Sequence, residues 1–225
     1  TFALGSFTLL GAAAILRFVH PPETPTSSIP SSEPSPTPAN YSLLPALGWI
    51  FITGAGVAWG SNFLIQTMRK VMQALIGSAN LDWVMFVIAI ALALAALPAG
   101  AIATKLGNGR AMLWGIGVTM GLMLLIALIP NWFVVLIAVV AIVAAFSLIV
   151  NGAVPYALSL MPPQRVGLGT GMYFGGYSVA AGLFGMVSTQ LRQMTSITAA
   201  VFGAIAFLVA GLCIAVSTSK SAATT

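Results

Sequence analysis

The chain has 225 residues, 59% of them hydrophobic and only 5% charged, with a mean hydropathy of +1.05. A soluble domain needs about a quarter of its residues charged to cover its surface, so a soluble globular fold is excluded and an all-α integral membrane protein is expected. The net charge of +5 sets eight Lys and Arg against Glu23, Glu33 and Asp82. These cations stand one or two at a time at the ends of apolar runs, which is a topology signal and leaves no basic patch for a nucleic acid.

In chain order, Thr1 to Val19 is apolar except at Thr1, Ser6, Thr8 and Arg17, long enough for a span or the second half of one. No basic segment precedes it and no cleavage signal follows, so the chain reads as part of a longer protein. Arg17 and His20 mark the exit into water. From Pro21 to Asn40 the sequence becomes PPETPTSSIPSSEPSPTPAN, with prolines that lack backbone donors and too little apolar surface to bury. A disordered linker over 20–40 is expected.

Six further spans follow, within a domain covering 41–220 and ahead of a tail at 221–225: Leu43–Met68, Trp83–Thr104, Ala111–Ile129, Trp132–Leu160, Leu168–Gln190 and Ile197–Val216. Each is expected to be helical, because hydrocarbon offers no partner to unpaired backbone groups and the runs lack the alternation of barrel strands. The stretch Arg69 to Asp82 is amphipathic and could prolong the first helix. Cys213 is the sole cysteine, which excludes a disulfide or cysteine metal site within the chain.

Charge bias sets the expected orientation. With the linker inside, the inner side carries Arg17, Lys105, Arg110, Arg165 and Lys220, against Arg69, Lys70 and Arg192 outside. The excess favours a cytoplasmic linker and carboxy terminus in a cell (inner) membrane. Trp83 and Trp132 then fall at the outer interface, where an indole is comfortable half wet.

The connection GAIATKLGNGR, Gly100 to Arg110, resembles the loop signature of the major facilitator superfamily through Gly100, Lys105, Gly107 and Arg110. A second stretch, PPQRVGLGTG from Pro162 to Gly171, is similar to the family's loop entering its second-last helix and contains Arg165. The resemblance implies that the chain holds the end of helix six, the central cytoplasmic loop and helices seven to twelve, a six-helix half built from inverted three-helix repeats. One departure matters: Thr104 stands where the family has an acid, so that acid's charge pairing does not transfer. Lys105 and Arg110 are then expected to hold lipid phosphates or helix carboxyl ends.

Helical phase suggests which faces pack. At about 100° per residue, Thr53, Gly56, Gly60 and Thr67 form a small stripe, with Asn62 and Gln66 opposite. In the fifth span Gly171, Gly175, Ser178 and Gly182 share a face at a spacing that permits close helix approach, while Tyr173 and Tyr177 lie on another. Ser147 and Asn151 are one turn apart, and Pro155 frees the carbonyl of Asn151, a combination suited to a gate. Asn62, Gln66, Ser147, Asn151, Tyr173 and Tyr177 are therefore the candidates for a polar cavity, although an amide in a membrane helix often only bonds a neighbouring helix.

No carboxylate lies inside a span, since Asp82 precedes Trp83, and no cation lies near mid-depth. A proton-relay acid is thus missing from these helices. The resemblance implies a secondary transporter, and the amides and phenols point to a neutral hydroxylated or amphipathic small-molecule substrate. Its other partners would be the bilayer, an amino-terminal half and a coupling proton or cation, with no cofactor or metal. The alternative is a transporter-like receptor or assembly factor. An intramembrane enzyme lacks any Ser/His, paired-Asp or metal constellation in the spans.

Overall fold

The structure, a computed structural model, describes residues 43–191 and 193–222, with side chains up to Ser219. The partial helix at Thr1–Val19, the linker over 20–40, residues 223–225 of the expected tail and the side chains of Arg192 and Lys220 lie outside the described part, while residues 221 and 222 of that tail continue the last helix. Among the described residues every regular element is helical: α1 Leu43–Ile76, α2 Leu81–Leu106, α3 Asn108–Leu128, α4 Trp132–Ser159, a single 3-10 turn at Pro163–Arg165, α5 Val166–Leu191 and α6 Ser196–Ala222. Five of them are long and apolar enough to cross a membrane. The exception is α5, which has the length at 26 residues, but whose glycines, tyrosines and hydroxyls lower its hydropathy.

The expected amphipathic extension of the first helix is real. With 34 residues α1 is about 51 Å long, against about 30 Å of hydrocarbon, so its last turns project past the apolar layer. There Arg69 pairs with Asp82 at 3.1 Å and Lys70 donates to the carbonyl of Met194. At the opposite end of the bundle one residue, Gly107, separates α2 from α3, and its φ of 84° lies in the left-handed region that a side chain disfavours.

The centre of the fold is α1, which packs against α5 on one side and α6 on another. Its sequence GAGVAWG serves both contacts. Gly54 faces α5, where a Cβ would collide with the Tyr173 carbonyl, and Gly176 lets α5 approach the Phe51 carbonyl in return. Gly56 and Gly60 face α6, where a Cβ would meet Ala206 O at 3.0 Å and the Phe207 ring at 2.7 Å. Small residues permit this because attraction between helices in lipid comes from close packing and not from exclusion of water. The expected stripe of Thr53, Gly56, Gly60 and Thr67 is therefore a packing face, with Thr53, Gly60 and Thr67 buried.

An equivalent contact joins α3 to α4. A Cβ on Gly115 would lie 2.6 Å from Ala145 O, and Gly152 packs on Met112 near Asn108 O. These registers make α1 and α6 antiparallel, α3 and α4 antiparallel, and α1 and α5 parallel. The α3 and α6 helices close the core between the two groups, with Gly203 against Met123 and Gly211 against Ile116. At the α5 junction Phe63 stacks edge-on against Phe184 at 5.0 Å and lies beside Phe202 of α6 at 5.9 Å. By contrast α2 is peripheral: it leans on α4 and buries only Leu81, Ala99 and Ala103.

One sequence expectation fails here. The α5 face that packs is Gly169, Tyr173, Gly176, Ala180 and Phe184, whereas a Cβ on Gly171, Gly175 or Gly182 would enter open space. Both faces have small residues at helical spacing, and only the register against α1 distinguishes them. Gly54→Ala should accordingly lower stability by about 1–3 kcal/mol, because the obstructing atom is backbone. Gly171→Ala should leave it unchanged or raise it by up to ~1 kcal/mol. Thermal unfolding of the two variants in one detergent separates them.

Candidate functional site

The polar candidates fall into three groups. On α4, Ser147 is buried and Asn151 half-buried. The Asn151 amide donates to Ser147 O at 2.8 Å, to Ser147 Oγ at 3.2 Å and, across the helix interface, to Ala96 O of α2 at 3.4 Å. Its acceptor lies in the turn before Pro98, which interrupts the ladder of α2 as Pro155 does that of α4. The Asn151 amide thus ties α4 to α2 at a point where both helices have lost a backbone bond nearby.

On α1, Asn62 and Gln66 are half-buried, on the side away from the small stripe. The Asn62 amide donates to Ala58 O of its own helix at 2.8 Å. Gln66 differs: its Oε1 is buried and has no hydrogen-bond partner, and the adjacent Thr67 Oγ1 and the Thr119 Oγ1 of α3 are in the same condition. An unmet acceptor in a low-dielectric setting is costly, and Gln66 has the reach to offer that oxygen to a ligand hydroxyl.

On α5, Tyr173 is buried in the contact with α1, while Tyr177 is half-buried at its margin. The two phenols, one turn apart as expected, therefore have different surroundings. Tyr173 is a packing residue in this arrangement, and Tyr177 keeps an open side.

The loop residues cluster at one end of the bundle. Lys105, Arg110 and Arg165 are all exposed there, with Gly107 in the α2–α3 connection and Gly100 half-buried two turns back. Gly109 abuts Thr218 near the end of α6. Thr104 turns its hydroxyl onto Ala101 O of its own helix at 2.9 Å. Arg69 and Lys70 lie at the opposite end.

Sequence reasoning missed a buried tie close to the basic end. The Tyr156 hydroxyl of α4 lies 2.8 Å from Ser217 Oγ of α6 and 3.4 Å from Thr53 Oγ1 of α1. Ser217 already donates to Ile214 O and Thr53 to Trp49 O. The phenol proton is therefore the one left to bridge, and its better-placed acceptor is Ser217. Tyr156 is completely buried and joins three helices whose residues are 61 and 103 positions away in sequence. No local pattern signals such a contact; a tyrosine one position after Pro155 was the only hint.

Three grooves among the described residues are almost wholly apolar. One of about 450 Å³ lies between α1, α5 and α6 beside Trp59, whose indole donates to Ala180 O at 2.7 Å. A second of about 180 Å³ lies between α1, α2 and α4 with Ser61 at its wall, and a third of about 480 Å³ runs between α2 and α4. Asn62, Gln66, Asn151 and Tyr177 line none of these three. No protein-family model, curated protein or solved structure matches the chain.

Removing the bridging hydroxyl tests the tie. Tyr156→Phe should cost only about 0.5–1.5 kcal/mol, since Ser217 and Thr53 keep their own-helix bonds. Tyr156→Ala should cost about 3–5 kcal/mol by opening a cavity. Equal losses in denaturant titrations of the two would show that the hydroxyl, and not the ring, carries the contact.

Proposed function

We propose that the protein is a secondary transporter that moves a small neutral, hydroxylated or amphipathic solute by alternating access, with α1–α6 forming the carboxy-terminal half of a major facilitator type of fold. One observation carries this reading. Exchanging α1, α2, α3 with α4, α5, α6 leaves the principal packing partners unchanged: α1–α6 becomes α4–α3, α1–α5 becomes α4–α2, and α3–α6 maps onto itself. Directions follow the same rule, antiparallel for the first pair and parallel for the second. Units of three crossings related in this way have opposite orientations, which is the inverted-repeat arrangement of many secondary transporters.

Details obey the exchange as well. Trp59 of α1 donates to a carbonyl of α5, and Asn151 of α4 donates to a carbonyl of α2. In such an arrangement the first helix of each repeat lines the substrate path, which here assigns α1 with Asn62 and Gln66, and α4 with Asn151. The unmet Gln66 oxygen would accept a substrate hydroxyl, and the phenol of Tyr177 supplies a further polar contact. A solute without net charge suits walls that carry no ionised group. Coupling to a proton or cation would then rest on the amino-terminal half or on Asp82, which is 91% exposed beside Arg69.

The test is uptake of radiolabelled neutral sugars and polyols by proteoliposomes holding the full-length protein. Saturable flux is expected for one of them. Gln66→Leu should weaken its apparent affinity about fivefold, the loss of a single hydrogen bond. Asn151→Ala should reduce flux while the protein still inserts and purifies normally. Saturable binding with no flux would sink the transporter reading in favour of a receptor.

A further inference from the structure

The groove between α2 and α4 has a direction that the other two lack. It opens where both helices begin, between Trp83 and Trp132, and runs past Val140 on one wall to Ala91 and Ala95 on the other, with Met72 of α1 at its side. Twelve residues separate Trp83 from Ala95, which is about 18 Å along the helix. One leaflet of hydrocarbon is about 15 Å deep. The groove therefore starts at the level where indoles settle and ends near the middle of the bilayer, the course of a single acyl chain.

Charge at the mouth favours a particular headgroup. Arg69 is one turn before Met72 on α1, and its pair with Asp82 brings a cation and an anion together beside Trp83, with 50% and 91% of the side chains exposed. An exposed pair of this kind contributes little to stability and leaves both charges free to engage a second pair of opposite polarity. The ammonium and phosphate of a zwitterionic phospholipid form such a pair. An anionic lipid would gain from Arg69 but be repelled by Asp82.

We propose that the α2–α4 groove is a binding site for one zwitterionic phospholipid of the leaflet at that face, with an acyl chain between the helices and the headgroup across Arg69 and Asp82. The groove is lined by none of Asn62, Gln66, Asn151 and Tyr177, the polar contacts proposed for the solute. It gives α2, which buries little of its own surface, a partner along its α4 side.

The experiment is native mass spectrometry of the full-length purified protein, offered equal amounts of phosphatidylethanolamine and phosphatidylglycerol with identical acyl chains. The wild type should retain one phosphatidylethanolamine, favoured about fivefold over phosphatidylglycerol. Ala91→Trp and Val140→Trp, both at exposed positions, fill the groove from opposite walls and should lose that lipid while keeping the wild-type melting temperature. Arg69→Ala combined with Asp82→Ala should abolish the preference between the two lipids. The proposal is overturned if the tryptophan variants retain as much lipid as the wild type, if the wild type retains none, or if they instead dissociate a dimer. It also fails if a photo-crosslinker at position 91 captures another segment of the same chain.

Discussion

The approach of α1 to two neighbours at once is the contact on which the remaining structure depends. In hydrocarbon every backbone group is bonded within its own helix, so helices associate through close packing of small residues and a few hydrogen bonds. Gly54 and Gly176 bring α1 and α5 together backbone to backbone, Gly56 does the same for α6, and Gly60 makes room for the Phe207 ring of α6. Once these are set, Phe63 can wedge between Phe184 and Phe202. The Tyr156 phenol of α4 then bridges α1 and α6.

That economy has a mechanical consequence. Contacts along α1–α5–α6 and along α2–α4–α3 are made of flush glycine surfaces or of side chains held against backbone, which transmit force as rigid units. Between the groups, the polar contacts among the described residues include the Tyr156 hydroxyl bridge at the end where Lys105, Arg110 and Arg165 are exposed and the exposed Arg69–Asp82 pair at the other end. A transporter that rocks needs stiff elements and a few exchangeable ties, and the distribution of contacts is consistent with the proposed alternating access. The sparse burial of α2 fits the same picture, since a helix that buries three residues against its own bundle leaves its surface for lipid or for further protein.

Much of this was legible in the sequence. Helix positions came from runs of apolar residues ended by Gly, Asn and Lys, and each boundary was within a few residues except where α1 continued to Ile76 and α6 to Ala222, because polar turns beyond an apolar run lack the signal used to define a span. The small face of α1 was also readable, since Thr53, Gly60 and Thr67 recur at helical phase and have no rival. In α5 the same rule misled: Gly171–Gly175–Gly182 and Gly169–Tyr173–Gly176 both satisfy it, and phase cannot say which face meets a neighbour. Of the candidate polar residues, Asn151 reaches α2 and Tyr173 packs on α1, neither of which helical phase signals. The Tyr156 bridge was beyond reach, as its partners come from helices that only the folded chain brings together.

The central claim is that two three-helix units face opposite ways, and it turns on α5, the least apolar helix, crossing the membrane. Single cysteines at Ser78, Gln164 and Gln193, in a background where the buried Cys213 is replaced by alanine, can be labelled from each side of sealed vesicles with a membrane-impermeant maleimide. The account predicts that Ser78→Cys and Gln193→Cys react from one side and Gln164→Cys from the other. Labelling of positions 164 and 193 from the same side would contradict it, because α5 would then lie along the membrane and no inverted partner for α2 would exist.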